Sequence, residues 1–230
     1  MQSNGNDFLV AEDYGIVAKT KELSDRKGNI GFDQLLYFQN GNMPKLRVYN
    51  ADGSEANNCI NGLRCLAFLY GLKNTYIQIK NKKFLVNATT NGATVKADMP
   101  IVSKIHNWFV IEFGNNHIAK FCENIDEFDL KTEYLRVKSI TPFNKIKDFN
   151  MSIFKICGDI IKIRTYENGT GETLSCGSAT ISVAYALRKE LNLNELKFSS
   201  RGGETKVTIL NDGIVSEASA EILEERFLNG

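Results

Sequence analysis

Two cysteines, Cys59 and Cys176, stand in near-copies of one local pattern far apart in the chain. The first lies in Asn50-Ala51-Asp52-Gly53-Ser54-Glu55-Ala56-Asn57-Asn58-Cys59-Ile60-Asn61-Gly62. The second lies in Tyr166-Glu167-Asn168-Gly169-Thr170-Gly171-Glu172-Thr173-Leu174-Ser175-Cys176-Gly177-Ser178. Each cysteine follows a Glu with three residues between, and each precedes an apolar run of helical spacing. A thiol at a helix start meets unpaired backbone N–H groups and the positive end of the helix dipole, which lowers its pKa and favours thiolate. Two such thiols on opposite sides of one carbon could take a proton from one face and return one to the other. That is the chemistry of a two-base racemase.

Removing the α-proton of an amino acid is hard because the carbanion is poorly stabilised, and many enzymes borrow an electron sink such as pyridoxal phosphate. The Gly-rich stretch Asn168-Gly169-Thr170-Gly171-Glu172-Thr173 lacks the Lys of a phosphate loop and carries a Glu that would repel phosphate. The sequence therefore points to a route with no cofactor. Such a route needs a base, an acid and strong hydrogen-bond donors at the substrate carboxylate. Cys59 and Cys176 are the candidate base and acid. The backbone N–H groups of Ile60, Asn61, Gly177 and Ser178, at two helix starts, are candidate carboxylate donors. His117 or Glu167 could help ionise a thiol. Each residue also has a plain reading. A lone Cys before a helix is usually structural, and His117 in Gly114-Asn115-Asn116-His117 reads as a surface-loop histidine. Asn115 and Asn150 read as turn residues, and Glu55 and Glu172 as capping carboxylates. The matched pair of contexts is what favours catalysis.

Five cysteines in a chain whose first residues show no apolar signal region argue for reduced thiols. Cys65 and Cys122 read as structural, and Cys157, inside the apolar strand-like run from Ile153 to Ile163, reads as a buried small hydrophobe. No Cys/His group has zinc-site spacing, so no metal is expected. No Cys-x-x-Cys pair supports a thiol-redox protein. A formal net charge of +1 over 230 residues gives no reason to expect nucleic acid or a membrane surface as partner. No apolar run approaches a membrane span, and a cytoplasmic location is expected.

The elements that must position these residues alternate. Strands are expected at Leu46–Tyr49, Tyr76–Ile79, Phe84–Val86, Thr94–Ala97, Trp108–Phe113, Ile160–Tyr166 and Lys206–Leu210. Asn40-Gly41, Asn91-Gly92, Asn168-Gly169 and Asp212-Gly213 mark tight turns. Helices are expected at Asn61–Tyr70 and Ala179–Leu191, with a weaker one around Lys19 to Arg26. Strands followed by a helix opening just after a Cys, then more strands, occur twice. Two similar α/β lobes with one thiol each are the simplest architecture, with the site expected in the cleft between them. The lobes are expected over 1–103 and 104–221, with a C-terminal strand over 222–230 returning to the first.

With these residues in view, the chain resembles the diaminopimelate epimerase family, pyridoxal-independent enzymes of lysine and peptidoglycan synthesis. The resemblance runs nearly end to end: Gly5-Asn6-Asp7-Phe8, Gly31-Phe32-Asp33-Gln34, Asn50 to Cys65, Gly114 to His117, Tyr166 to Ser178, and Arg201-Gly202-Gly203-Glu204. It implies two pseudosymmetric lobes of α/β (α+β) class, each a central helix wrapped by mostly antiparallel strands. It implies Cys59 and Cys176 as the acid–base pair, assisted by His117 and Glu167. Asn6, Gln34, Asn50, Asn115 and Asn150 match substrate-contacting positions, and Asn61, Gly177 and Ser178 match positions that hold the α-carboxylate and amine. Ile60 and Asn168 belong to the same expected pocket. A free amino acid is the expected partner, no cofactor is expected, and a homodimer is a candidate assembly.

The chain departs from the family pattern at several of these positions. Asn168 stands where the family has an Arg that binds the distal carboxylate, Ile60 where it has Gly, Asn116 where it has Pro, and Ser178-Ala179 where it has a small-Gly pair. Replacing a bidentate, permanently charged fork by an amide loses charge and geometry. Arg47, Arg64 and Arg164 are candidates to supply that charge from elsewhere. The first expectation is interconversion of LL- and meso-diaminopimelate. The alternatives are a racemase of the same fold acting on an amino acid without a distal carboxylate, and a non-catalytic amino-acid-binding relative.

Overall fold

A computed structural model describes residues 1–224 of the chain. The chain forms two compact units. The first takes Met1–Ala97 and the described residues from Glu217 onward, and the second takes Asp98–Ser216.

The first unit begins with a short hairpin. β1 (Gln2–Ser3) pairs antiparallel with the start of β2 (Asn6–Ala11) across Asn4 and Gly5, both at positive φ (50° and 79°). Two left-handed residues make the turn whose twist matches the strands, and Asn-Gly is the pair that reaches it at least cost. The one-turn helix α1 (Thr20–Leu23) leads to β3 (Gln34–Gln39). β3 lies parallel to β2 and antiparallel to β4 (Lys45–Asn50). Leu35, Leu36, Tyr37 and Phe38 are all buried, the unbroken apolar run of a central strand. α2 (Ile60–Leu69) buries every residue from Ile60 to Ala67. A helix apolar all round belongs inside, and α2 packs on β1, β2, β6 and β7. β5 (Thr75–Ile79), β6 (Lys82–Ala88) and β7 (Gly92–Ala97) complete this part as an antiparallel meander.

The second unit repeats the scheme. β8 (Ile101–Ile105), β9 (Trp108–Phe113) and β10 (Asn115–Phe121) form an antiparallel meander. β10 lies parallel to β11 (Phe149–Cys157), which pairs antiparallel with β12 (Ile160–Glu167). Between β10 and β11 the chain inserts α3 (Leu130–Ser139), capped by Asp129 accepting from the Thr132 N–H. Leu130, Tyr134 and Val137 of α3, at helical spacing, join Phe149 and Met151 of β11 in one core cluster. β13 (Gly171–Thr173) folds back on β12, and α4 (Gly177–Leu191) follows with its first eight residues buried. β14 (Glu195–Ser200) lies parallel to β12 and antiparallel to β15 (Gly203–Leu210). β16 (Gly213–Ser219) closes the second unit beside β15 and carries the chain back to the first beside β7.

The architecture is the expected mixed α/β class, with a central helix in each unit. The seven strands expected between Leu46 and Leu210 all lie on observed strands, and the two long helices begin within two residues of expectation. The weaker helix near Lys19 is a single turn. Residues 222–224 are not in a strand, and the rest of the strand expected over 222–230 lies outside the described residues. Two expectations fail. Cys157 is exposed, because the apolar run is two strands joined by Gly158-Asp159, where Gly158 takes φ 64°. His117 is no surface-loop residue. It lies within β10 and is 1% exposed. Among the described residues no helix is long and apolar enough to cross a membrane.

Candidate active site

In the first unit Cys59 is the residue that opens α2. Its backbone is extended and its Sγ accepts from the Gly62 N–H at 3.2 Å. Its thiol donates to Gln34 Oε1 at 3.1 Å, and Gln34 Nε2 donates to Asn50 Oδ1 at 2.8 Å. Gln34 and Asn50 face each other because β3 and β4 pair in that register. α2 comes this close to the sheet because residue 62 is Gly. A Cβ there would stand 2.8 Å from a Leu36 methyl and 3.2 Å from Cys59 Sγ. Ile60 is the first helical residue and is buried, so its branched side chain meets no left-handed backbone. Asn61 follows, its Nδ2 donating to Asn6 Oδ1 at 2.7 Å. Asn6, Gln34, Asn50, Cys59, Ile60 and Asn61 thus form one continuous group.

In the second unit Cys176 opens α4 in the same extended conformation, 3.4 Å from the Ser178 hydroxyl. Glu167 ends β12 and accepts from the Thr173 hydroxyl at 2.7 Å. Asn150 on β11 accepts from the Asn168 N–H at 3.0 Å. Here the environment overturns one expectation. The helix start does not make Cys176 acidic, since burial and then the Glu167 carboxylate push its pKa well above the ordinary thiol value. The Ser178 hydroxyl and the Ala179 N–H only partly oppose this. His117 stands opposite Asn150 across the β10–β11 ladder, and neither ring nitrogen has a hydrogen-bond partner. Burial lowers its pKa to about 4, so it is a neutral imidazole at physiological pH. Asn115 opens β10 two residues before it.

The structure extends the repeat beyond what the cysteine signatures display. Arg47 precedes Asn50 as Arg164 precedes Glu167, and the spacing from those residues through Glu55 or Glu172 to the cysteine is the same in both copies. Arg47 grips Glu55 with Nε at 3.2 Å and Nη2 at 2.9 Å. Arg164 grips Glu172 with Nε at 2.7 Å and Nη2 at 3.0 Å. Tyr49 bridges Glu55 as Tyr166 pairs with Glu172. Each loop that delivers a thiol is therefore tied to its own strand by a bidentate ion pair, the strong form of this interaction. Glu55 and Glu172 are clamp residues rather than helix caps. Arg47 and Arg164 are committed to these clamps, and Arg64 is completely buried within α2. Each of the three guanidinium groups is thus engaged within its own unit.

Sequence reasoning missed what does approach Asn168. Its Oδ1 accepts from the Tyr134 hydroxyl at 2.7 Å and from Lys138 Nζ at 2.9 Å, both on α3. Its Nδ2 donates to Asp148 Oδ1 at 3.3 Å. Tyr134 stacks on Tyr166 with ring centroids 4.4 Å apart, which fixes α3 against the end of β12. Spacing gave no signal for these partners, because α3 is separated from Asn168 by the whole β11–β12 hairpin. Among the described residues no group of three His, Cys, Asp or Glu is placed to hold a metal ion.

A family model described as diaminopimelate epimerase matches residues 109–222. A diaminopimelate epimerase of Wigglesworthia glossinidia brevipalpis is 32% identical over 78% of this chain and 79% of its own length. One from Buchnera aphidicola subsp. Baizongia pistaciae is 29% identical over 90% of this chain and 86% of its own. Among solved structures, a phenazine biosynthesis protein of the PhzF family from Enterococcus faecalis has a TM-score of 0.70 at 14% identity, covering 96% of this chain and 92% of that one. A structure from Pseudomonas aeruginosa described as a predicted epimerase has a TM-score of 0.63 at 14% identity, covering 95% of this chain and 93% of that one. At such identities the likeness to solved structures shows a shared fold.

Proposed function

This chain belongs to the diaminopimelate epimerase family, a family of isomerases, and from that premise we propose that it interconverts LL- and meso-diaminopimelate without a cofactor, using Cys59 and Cys176 as the acid–base pair. The observation that carries the reading is the doubled frame: each thiol opens a buried helix at the end of an identically spaced, Arg-clamped loop. One thiolate takes the α-proton, forming S–H as the C–H bond breaks. The electron pair moves onto the carboxylate, and the second thiol delivers its proton to the opposite face. The protein is left with its two thiols in reversed protonation states, ready for the other isomer. Backbone N–H groups of Ile60, Asn61, Gly177 and Ser178 meet the charge that develops on the carboxylate. Glu167, whose carboxylate acts on Cys176, is the group that accepts that thiol's proton when it must become the base. His117, neutral and buried beside Asn150, offers an uncharged donor and acceptor rather than a cation.

Lys138 answers the missing Arg. Its ammonium lies 2.9 Å from Asn168 Oδ1, the position where the family carries the Arg. The distal carboxylate of diaminopimelate meets Lys138 and the Tyr134 hydroxyl in place of a guanidinium fork. A lysine is a point charge with rotating donors, so this end binds with less angular demand than an Arg would impose. The test is α-proton exchange in D₂O by NMR, with LL- and meso-diaminopimelate beside a panel of monocarboxylic amino acids. Exchange is expected with diaminopimelate and is expected to disappear in Cys59→Ala and Cys176→Ala. Lys138→Met should raise KM for diaminopimelate about tenfold, the cost of about 1.4 kcal/mol, with kcat changed far less. Exchange confined to monocarboxylic amino acids would replace the diaminopimelate reading with the racemase one.

A further inference from the structure

Arg64, within α2, is completely buried. Burial lowers its pKa to about 10, which still leaves it a cation at neutral pH. A buried guanidinium is costly unless its N–H groups are used, and Nη1 donates to Asn61 Oδ1 at 2.7 Å. Guanidinium has donors only. Asn61 must therefore turn its oxygen toward Arg64 and its nitrogen away. That nitrogen donates to Asn6 Oδ1 at 2.7 Å, which leaves Asn6 Nδ2 to donate to Asp33 Oδ2 at 3.1 Å. A carboxylate only accepts, and Asp33 is held in turn by Arg26 Nη2 at 2.8 Å and by the Asp7 N–H at 3.3 Å. The chain starts at a cation and ends at an anion, so it has one direction. Turning over the Asn61 amide would set donors against Arg64, and turning over Asn6 would set oxygen against Asp33.

At the counterpart positions the second unit carries neither an Arg nor an Asn. Five residues past Cys176, where Arg64 has its counterpart, stands buried Ile181. Two residues past Cys176, where Asn61 has its counterpart, stands Ser178. A hydroxyl rotates to suit its partner, whereas an amide presents a different group on each side and must be told which way to lie.

We propose that Arg64 is a positioning residue: through Asn61 and Asn6 it fixes which donors and acceptors the first unit offers to a substrate. The inference rests on the proposed amino-acid site, so the test has one arm without substrate. In protein labelled with ¹⁵N-asparagine, the Nδ2 protons of Asn61 and Asn6 should exchange slowly with solvent. In Arg64→Lys and Arg64→Met both should lose protection by about tenfold, as for coupled members of one network, while α2 backbone amides keep theirs. Arg64→Lys retains the charge and stands in should Arg64→Met fail to fold. Asn6, whose amide bonds run to Asn61 and Asp33, is the decisive reporter, and unchanged protection of Asn6 in a folded variant would overturn the proposal. The second arm is kinetic. Arg64→Lys should raise KM about tenfold with kcat moved less than about threefold, and in an Asn61→Ala background it should add less than about twofold. Full additivity with Asn61→Ala would also overturn it. If the parent protein turned over no amino acid, the functional reading would fail and the exchange arm alone would judge Arg64.

Discussion

At the scale of single residues, the two thiols occupy equivalent helix starts but keep different company. Cys59 lies among amides, bonded to Gln34 and to the Gly62 N–H, while burial first and the Glu167 carboxylate second raise the pKa of Cys176. An acid and a base are needed at once, and unequal surroundings are a direct way to start from unequal states. His117 leads to a pH experiment. Its folded-state pKa, about 4, lies below the unfolded value of 6.5, so between these the unfolded chain binds more protons. The resulting stability is complete above pH 6.5 and is lost as pH falls toward 4. Urea unfolding from pH 7 to 4 should show this loss, of order 3 kcal/mol at most. His117→Gln should flatten the slope across that window, and an unchanged slope would mean the imidazole ionises freely in the folded state. The cysteines were legible because both signatures are local. The burial of His117 was not, since Gly-Asn-Asn-His has the composition of a turn and only its pairing with Ile111 and Asn150 makes it strand.

At the scale of elements, the two clamped loops perform the same task with different security. Arg164 is 9% exposed in its side chain and also donates to the carbonyls of Phe128, at 3.0 Å, and Ile125. Arg47 is 40% exposed and lies over the Tyr14 and Tyr49 rings. Removing a buried, multiply bonded charge strands its partners, whereas an exposed pair contributes little. Arg164→Met should therefore destabilise by about 2–4 kcal/mol, and Arg47→Met by less than about 1 kcal/mol. Both are read from denaturant midpoints at constant slope, and equal losses would contradict this ranking. Strands and long helices were legible because alternation and helical spacing run along each segment. α3 was not, since only Leu130, Tyr134 and Val137 of its ten residues turn inward. Lys138 and Tyr134 went unseen with it. The Cys157 turn was written in Gly158-Asp159, but flanking isoleucines made the two strands read as one.

At the scale of the whole molecule, the chain leaves the first unit at Ala97 and re-enters it at Glu217. The returning segment is received tightly. Ser3 Oγ donates to the Ser219 carbonyl at 2.7 Å, the Ala220 N–H donates to the Asn91 carbonyl at 3.2 Å, and a Cβ on Gly92 would stand 2.1 Å from the Ala218 carbonyl oxygen. No side-chain rotation relieves an overlap with backbone, so the strands must part. Gly92→Ala should destabilise by about 1–3 kcal/mol, as overpacking does. Hydrogen exchange should show the loss first in residues 1–97, and an equal loss in 98–216 would mean that both units open as one cooperative body. The same return brings Gln2 and Glu221 into a reciprocal bridge, with backbone bonds of 2.9 and 3.0 Å in the two directions. Two stretches 219 residues apart along the chain are thus paired in space, so the outer edge of β1 gains its partner only once residue 221 has been synthesised. The first unit therefore cannot complete its sheet as its own residues emerge, and the whole second unit is made before that edge is closed.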